Sequence, residues 1–267
     1  PMRTARNMES SLSMPTATSV RDVPMKLVIE NRLMINKFLR QSKGGKVSFT
    51  HILGYAMVQA LKTNPEMNNA YAEIDGRPSI IENPSVNLGL AIDVVGSDGT
   101  RKLVVPAIKM ANEMDFRQFM AGYEEIVAKG RRNELTVDDF KGVTASLTNP
   151  GGIGTNHSVP RLMPGQGMIL GVGSIDYPAG WQGGSPTRLA ELGISKVTTL
   201  TSTYDHRIIQ GAQSGEFLKR IHQLLLGADR FYEEIFESLR LPYAPVQWAA
   251  ARMATRPEQV RKQVRVI

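Results

Sequence analysis

A strand that leads directly into a histidine-bearing turn and then into a helix is the feature that most constrains the fold of this chain. Residues 197–204 are rich in threonine, serine and apolar side chains, which is typical of a strand. A helix is predicted beyond Gly211, because apolar residues recur at helical spacing at Phe217, Leu218, Ile221, Leu224 and Leu225. His206 lies between these two elements, where a fixed imidazole is well placed to act as a general base.

A second candidate for chemistry lies where another predicted strand ends. Residues 143–148 read as a strand and lead into a loop rich in glycine and proline at 149–154. Thr148 places a hydroxyl at this boundary, although a lone threonine at a strand end more often hydrogen-bonds its own backbone. The chain contains no cysteine, so any thiol that His206 activates must belong to another molecule.

Apolar periodicity predicts further helices along the chain. They lie at residues 25–41, 48–64, 229–239 and from Asp115 onward. Ser48 is predicted to cap the second of them, and one more helix is predicted to start at Thr136. His51 and His222 lie on predicted helices and are interpreted as structural, whereas His157, just after the glycine-rich loop, fits a structural or a pocket-lining role equally.

The remaining segments predict a mixed fold. Residues 86–108 read as a β-hairpin that turns at Asp98 and Gly99, and 168–175 read as a buried strand. Residues 1–24 are predicted to form an extended arm. The order of helices, hairpin, helix and strands predicts an α/β sandwich and not a doubly wound sheet.

Composition narrows the possible functions. The 32 basic and 25 acidic residues give a net charge of +7, which favours anionic partners such as nucleic acid or a phosphorylated cofactor. The cations do not alternate with aromatic residues, which argues against nucleic acid. The glycines at 165–171 precede a strand instead of following one, which argues against a dinucleotide fingerprint. No metal-binding motif is present, so no metal site is expected.

Composition also bears on the cellular location of the protein. No apolar run approaches the roughly 20 residues that a membrane span needs, so no membrane partner is expected. No signal peptide is visible at Pro1 and beyond, and the absence of cysteine fits a reducing compartment. A cytoplasmic location is therefore expected.

Several segments together resemble a known family. Residues 204–212 resemble the active-site signature of the acyltransferase component of 2-oxoacid dehydrogenase complexes, and 146–151 resemble the strand that carries that family's hydroxyl. Residues 87–93 are similar to its hairpin and 48–52 to the start of one of its core helices. These matches follow the expected order along the chain. In detail, residues 157–162, 202–207 and 210–218 resemble the succinyltransferase domain of the fused actinobacterial 2-oxoglutarate dehydrogenases.

The resemblance implies a fold and a reaction. The fold is a two-layer α/β sandwich like that of chloramphenicol acetyltransferase, assembled as a homotrimer. The reaction moves a succinyl group between a dihydrolipoyl thiol and coenzyme A. It implies that His206 is the general base and that Thr148 of a neighbouring subunit stabilises the oxyanion. Gln210 stands where relatives usually carry Asp or Asn, and its amide is expected to donate a hydrogen bond near the oxyanion. Ser158, Leu170 and Ser174 are expected to line the coenzyme A channel.

The resemblance also implies a division of the chain and a set of partners. Residues 1–240 are expected to form the catalytic domain, and 241–267 a linker or extension toward a further domain. No lipoyl domain is visible, so the lipoyl group is expected from another chain. Thiamine diphosphate and Mg²⁺ are expected only in a companion dehydrogenase domain, fused or associated, which is absent from this sequence.

Three other functions remain open at this point. The first is a trimeric scaffold without activity that positions a fused 2-oxoglutarate decarboxylase, which the replacement at Gln210 favours. The second is a relative of chloramphenicol acetyltransferase that acylates a hydroxyl on a small molecule. The third is a basic module that binds nucleic acid.

Overall fold

A computed structural model describes residues 8–42, 44–95, 99 and 101–247. The helices and strands follow in this order: β1 (Thr16–Pro24), α1 (Lys26–Gln41), α2 (Phe49–Thr63), β2 (Ala70–Ile74), β3 (Arg77–Ile81), β4 (Leu88–Leu90), β5 (Ile92–Val95), β6 (Arg101–Val104), β7 (Ala107–Ile108), α3 (Phe116–Arg132), β8 (Ala145–Thr148), β9 (Met168–Val172), α4 (Pro186–Glu191), β10 (Val197–Asp205), α5 (Gly211–Leu225) and α6 (Phe231–Ser238). Among the helices of these residues, none has both the length and the apolar character that crossing a bilayer requires.

One six-stranded mixed sheet forms the centre of the molecule, in the order β1-β10-β9-β8-β4-β7. Strand β8 runs parallel to both β9 and β4, and the other pairs of this sheet are antiparallel. Two separate hairpins, β2–β3 and β5–β6, lie outside the sheet. The predicted α/β fold is therefore confirmed.

The two faces of the central sheet differ in chemistry because side chains alternate along each strand. One face carries buried leucines at 147, 170 and 200 and packs against the helices. There, Arg21 of β1 donates from Nε to His222 Nδ1 of α5 at 2.9 Å, which supports the structural interpretation of His222. The opposite face carries hydroxyl-bearing side chains at positions such as 18, 146, 148, 201 and 203. The Thr18 and Thr203 hydroxyls are 2.8 Å apart across the β1–β10 pair. The fold thus has two layers, one sheet and one set of helices.

Side chains close in sequence cap the first turns of α2 and α3. The Ser48 hydroxyl accepts from His51 N at 3.2 Å, and His51 Nδ1 accepts in return from Ser48 N at 3.1 Å. This reciprocal capping box confirms the predicted cap and the structural interpretation of His51. Asp115 and Gln118 form the same arrangement at the start of α3, where a helix was predicted.

His51 predicts a pH dependence of stability. Its side chain is fully buried, its Nε2 lies 3.1 Å from Glu124 Oε1, and burial, followed by the positive charge of Arg32, lowers the pKa of His51 to about 4. An unfolded histidine has a pKa of about 6.5. The folded state therefore binds this proton less tightly, so its contribution is complete above about pH 6.5 and is lost progressively toward pH 4, by roughly 3 kcal/mol.

Urea unfolding at several pH values measures this loss. The matched control is His51→Gln, because glutamine can complete the capping box but does not titrate. We expect the variant to lose less stability than the native chain between about pH 6.5 and pH 4. Equal losses in the two proteins would rule out His51 as the source.

Three predicted segments differ from the structure in detail. Thr136 starts only a single 3₁₀ turn, Val137–Phe140, because Gly142 follows at a φ of 70° and the chain enters β8. The predicted hairpin at 86–108 is divided: β5 pairs with β6, whereas β4 and β7 pair within the central sheet. Its predicted turn lies largely outside the described residues. Within the predicted arm, Thr16–Pro24 forms an edge strand of the same sheet.

The segment after residue 240 begins as part of the folded unit. Asn31 of α1 is fully buried, and its side chain accepts from Val246 N at 2.8 Å and donates to Val246 O at 3.0 Å. Tyr243 packs edge-on against Phe38 with ring centroids 6.1 Å apart. Residues 241–247 therefore run back along α1, and residues 248–267 of the predicted extension lie outside the described part of the chain.

Candidate active site

The turn that carries His206 is hydrogen-bonded to two other segments, at Gly167 and Pro15. Asp205, the last residue of β10, donates from its amide to Gly167 O at 3.0 Å, and its carbonyl accepts from Ile209 N at 3.0 Å. His206 N donates to Pro15 O at 2.9 Å. The His206 side chain is exposed and lies beside the Tyr204 ring, with centroids 5.5 Å apart. The backbone is thus fixed while the imidazole faces outward.

An ion pair next to the histidine holds this turn. The Asp205 carboxylate is almost completely buried and accepts from Arg207 Nε at 2.9 Å and from Arg207 Nη2 at 2.6 Å. These bonds raise the pKa of Arg207. The Arg207 guanidinium also lies 3.6 Å from the centre of the Tyr71 ring. Asp205 and Arg207 therefore stabilise the turn.

Gln210 lies at the start of α5, four residues after His206. Its backbone N–H donates to Gln213 Oε1 at 2.7 Å, which fixes the helix start. The side chain of Gln210 is exposed. The turn therefore presents an exposed imidazole and an exposed neutral amide at the same strand-to-helix junction.

Thr148 is the last residue of β8 and is half-buried on the hydroxyl-rich face. It lies opposite Gly171 of β9, and the next residue, Asn149, donates from Nδ2 to Thr50 Oγ1 at 2.9 Å. The following glycines allow a close approach of two backbones, because a Cβ at Gly151 would lie 2.2 Å from Gly173 O. The predicted glycine-rich loop thus anchors the end of β8.

Two of the three predicted channel residues lie near Thr148. Ser158 is half-buried, its carbonyl accepts from Thr201 Oγ1 at 2.8 Å, and its hydroxyl is buried with no hydrogen-bond partner among the described residues. Ser174 donates to Asn156 Oδ1 at 3.0 Å. Leu170 is fully buried in the hydrophobic core on the helix-facing side of β9, so it offers no surface on a single chain.

His206 and Thr148 do not meet within one chain. Tyr204 lies opposite Met168, and Met168 opposite Ala145. Counted along the strands from this row of paired residues, Thr148 lies three residues away in one direction and His206 two residues away in the opposite direction. At about 3.3 Å per residue and about 4.8 Å between strands, the two groups are roughly 19 Å apart. They lie at opposite ends of the central sheet.

Two concave surfaces of the described residues lie away from both groups. A cavity of about 430 Å³ between α1, α3 and the end of α6 is lined by Phe38, Met120 and Arg117 among others. A second, of about 550 Å³, lies beside Pro65 and Glu82. Neither includes His206 or Thr148.

A mixed sheet under one helical layer, with a histidine turn at one end and a hydroxyl-bearing strand at the other, is the architecture of an acyltransferase domain. The model of the family 2-oxoacid dehydrogenases acyltransferase (catalytic domain) matches residues 2–232, and this chain belongs to that family.

The individual relatives agree with this assignment. The chain is 59% identical over 245 residues to the 2-oxoglutarate dehydrogenase E1/E2 component of Corynebacterium glutamicum, covering 92% of this chain and 20% of the relative. It is 60% identical over 244 residues to the multifunctional 2-oxoglutarate metabolism enzyme of Mycobacterium sp. (strain JLS), covering 91% and 19%. The chain thus spans about a fifth of the length of these relatives.

The solved structures share the fold. Dihydrolipoamide acetyltransferase of Azotobacter vinelandii, studied for the roles of a serine, a histidine and an asparagine in its catalytic mechanism, superposes with a TM-score of 0.72 at 26% identity. The superposition covers 90% of this chain and 90% of that one. The two-layer sandwich expected from the resemblance is therefore confirmed.

Three contributors to the site were not predicted from the sequence: Pro15, Tyr71 and Gly167. A signal for Tyr71 exists, because Asp75 and Gly76 form a two-residue hairpin turn with positive φ values of 50° and 71°. Position 167 requires a glycine, because a Cβ there would lie 2.1 Å from Asn69 O. No local pattern identifies the contact of Pro15.

Proposed function

We propose that this chain transfers a succinyl group between a dihydrolipoyl thiol and coenzyme A, at a site that two copies of the chain share. The observation that carries the proposal is the position of His206 and Thr148 at opposite ends of one sheet. A base and an oxyanion donor so placed can act on the same substrate only if they come from different subunits. A homotrimer, in which each chain meets two neighbours, satisfies this requirement.

The proposed reaction follows from the chemistry of the two groups. A free thiol has a pKa of about 8.5, so little thiolate exists near neutrality, and an imidazole is suited to take its proton. His206 accepts the proton of the coenzyme A thiol, and the sulfur attacks the thioester carbonyl of the succinyl-dihydrolipoyl group. The carbonyl oxygen becomes an oxyanion, to which the Thr148 hydroxyl donates. Collapse of this adduct expels the dihydrolipoyl sulfur, which receives the proton from His206.

Gln210 assists as a neutral donor. Its exposed amide lies at the same junction as His206 and can donate a hydrogen bond to the developing charge. In the Azotobacter enzyme, a histidine and an asparagine four positions apart were studied for catalytic roles. His206 and Gln210 have the same spacing, and glutamine keeps the amide on a side chain one methylene longer.

The choice of substrates rests on the relatives and on the sheet face beside Thr148. Relatives named for 2-oxoglutarate chemistry support succinyl over acetyl as the acyl group. Ser158 and Ser174 are proposed to border the coenzyme A channel, because both lie near the Thr148 end of the sheet. The net charge of +7 favours the phosphates of coenzyme A. We place the lipoyl group on another chain, and thiamine diphosphate and Mg²⁺ in a companion dehydrogenase segment.

Subunit mixing tests the shared site. His206→Ala and Thr148→Ala are each expected to be inactive with succinyl-CoA and dihydrolipoamide. When the two variants are unfolded together and refolded in equal amounts, a site that takes its histidine and threonine from different chains is intact in about a quarter of random combinations. Turnover should therefore return to about a quarter of the native value.

The controls separate assembly from chemistry. Each variant refolded alone must remain inactive, and light scattering must give the mass of a trimer in every sample. A fully inactive mixture of assembled trimers would contradict the shared site, and a native chain that stays monomeric at micromolar concentration would contradict the trimer.

A further inference from the structure

We infer that Tyr71 is a positioning residue for acyl transfer, whose ring clamps Arg207 and thereby fixes the turn that presents His206. This inference rests on the proposed function of His206 as the base. It concerns a contact between two parts of the fold that no backbone pairing connects, because the β2–β3 hairpin is separate from the central sheet.

The Arg207 guanidinium contacts both the Asp205 carboxylate and the Tyr71 ring. One part of the guanidinium holds the buried Asp205 carboxylate through the bonds at 2.9 Å and 2.6 Å, and its carbon lies 3.6 Å from the centre of the Tyr71 ring. A cation this close to an aromatic face is attracted by the ring's negative π surface. The ring and the carboxylate cover part of the Arg207 side chain, which is 29% exposed. The ring therefore keeps the cation against its carboxylate.

The hairpin that carries Tyr71 is held firmly beside the turn. Its first strand starts next to Asn69, whose carbonyl packs so closely against Gly167 that a Cβ there would lie 2.1 Å away. Gly167 is also the residue whose carbonyl accepts from Asp205 N. Tyr71 thus contacts the His206 turn directly, at the guanidinium of Arg207, and Asn69 beside its hairpin packs against Gly167, which is hydrogen-bonded to that turn.

The clamp matters because, among the described residues, the imidazole is held by a contact with the Tyr204 ring and by the backbone of its own turn. The His206 side chain makes no hydrogen bond within that part of the chain, so its direction depends on the backbone of its turn. Arg207 N donates to Asp205 Oδ1 at 3.1 Å, which links the ion pair directly to that backbone. If the ring is lost, the guanidinium can leave the carboxylate and the turn loosens. Catalysis is sensitive to displacements of about 1 Å, so the rate should fall while substrate binding persists.

Three variants test the clamp with the full chain. Tyr71→Leu removes the π surface at the cost of some volume, Tyr71→Phe keeps it, and Ile80→Ala changes the residue opposite Tyr71 on the same hairpin. Ile80 is 55% exposed. We expect Tyr71→Leu to lower kcat for succinyl transfer about 10-fold with the KM values of both substrates within about twofold. Tyr71→Phe and Ile80→Ala should stay within about twofold of the native kcat.

A double-mutant cycle adds a second measurement. Arg207→Lys keeps the charge but loses the planar fork and the stacking, so it should lower kcat to a similar degree. Because both changes break one arrangement, Tyr71→Leu combined with Arg207→Lys should cost little more than either alone. If Tyr71→Leu does not fold, Tyr71→Met takes its place as a flexible apolar side chain without a π surface.

The outcomes separate this inference from the proposed function. Equal losses in Tyr71→Leu and Tyr71→Phe, a loss in Tyr71→Leu no greater than in Ile80→Ala, or full additivity with Arg207→Lys would each overturn the clamp. If His206→Ala remains active, the proposed function itself is wrong. If His206→Ala is inactive and Tyr71→Leu is as active as the native chain, only the role of Tyr71 is wrong.

Discussion

Replacing His206 with alanine is expected to lower kcat for succinyl transfer by about 100-fold to 10,000-fold, the range that a general base contributes. The chain has no cysteine, and the neighbouring Asp205 carboxylate is buried and paired with Arg207, so it is not free to take the thiol proton. Because the imidazole is exposed and makes no hydrogen bond within the described residues, the variant should keep its fold, its trimer and its melting temperature.

The measurement is steady-state turnover of succinyl-CoA with dihydrolipoamide. His222→Gln serves as the control, because His222 is a histidine on α5 outside the proposed site, and a glutamine oxygen can keep the hydrogen bond that its side chain accepts from Arg21 Nε. We expect it to keep most of the native rate. This pair of variants also decides between an enzyme and a silent scaffold. A native chain without turnover would favour the scaffold, and a His206→Ala variant with native turnover would remove the base from the mechanism.

The same assay separates the other two functions that the sequence left open. A relative that acylates a hydroxyl on a small molecule should use acetyl-CoA or succinyl-CoA with an alcohol acceptor and should be indifferent to dihydrolipoamide. A nucleic-acid module should bind DNA with an affinity that falls steeply with salt and does not depend on His206.

The sequence predicted the parts of the fold that depend on neighbouring residues. The cap at Ser48 and the helix start at Asp115 are such features, because each is completed by a side chain three residues away. The position of His206 between a strand and a helix is another, since composition indicates the strand and apolar periodicity the helix. The same reasoning failed at Thr136, where a cap is present but Gly142 ends the segment after one turn.

Features that depend on pairing between distant segments could not be predicted in this way. Strand alternation separates the hydroxyl-rich face from the apolar one, but only the register between β8, β9 and β10 shows that Thr148 and His206 lie at opposite ends. A shift of one residue along a strand moves a side chain to the other face of the sheet. The sequence alone therefore could not show that Leu170 lies on the helix-facing side. The contact between Tyr71 and Arg207 joins positions far apart in sequence. The Asp75–Gly76 turn predicts the hairpin that carries Tyr71, but not where this hairpin packs in the fold.

Removing the hydroxyl of Thr148 should lower kcat nearly as much as removing the imidazole of His206. Thr148→Ala removes a hydrogen-bond donor to the oxyanion, and losing one such donor lowers kcat by about 100-fold to 1,000-fold. Thr148→Ser keeps the hydroxyl and loses only a methyl group, so it should retain most of the rate. Because the bond strengthens only as the oxyanion forms, the loss in Thr148→Ala should appear in kcat and leave KM nearly unchanged.

A matched threonine far from the site provides the control. Thr63 ends α2, and its hydroxyl donates to Ala60 O at 3.0 Å, so Thr63→Ala makes the same chemical change without touching β8. We expect native turnover from that variant. If Thr148→Ala instead raised KM with kcat unchanged, the hydroxyl would bind the ground state and the transition state equally. If alanine and serine at position 148 were equally slow, the methyl group and not the hydroxyl would matter. Either result would contradict a hydroxyl acting on the oxyanion, because that role requires a donor whose contribution appears only when the charge develops.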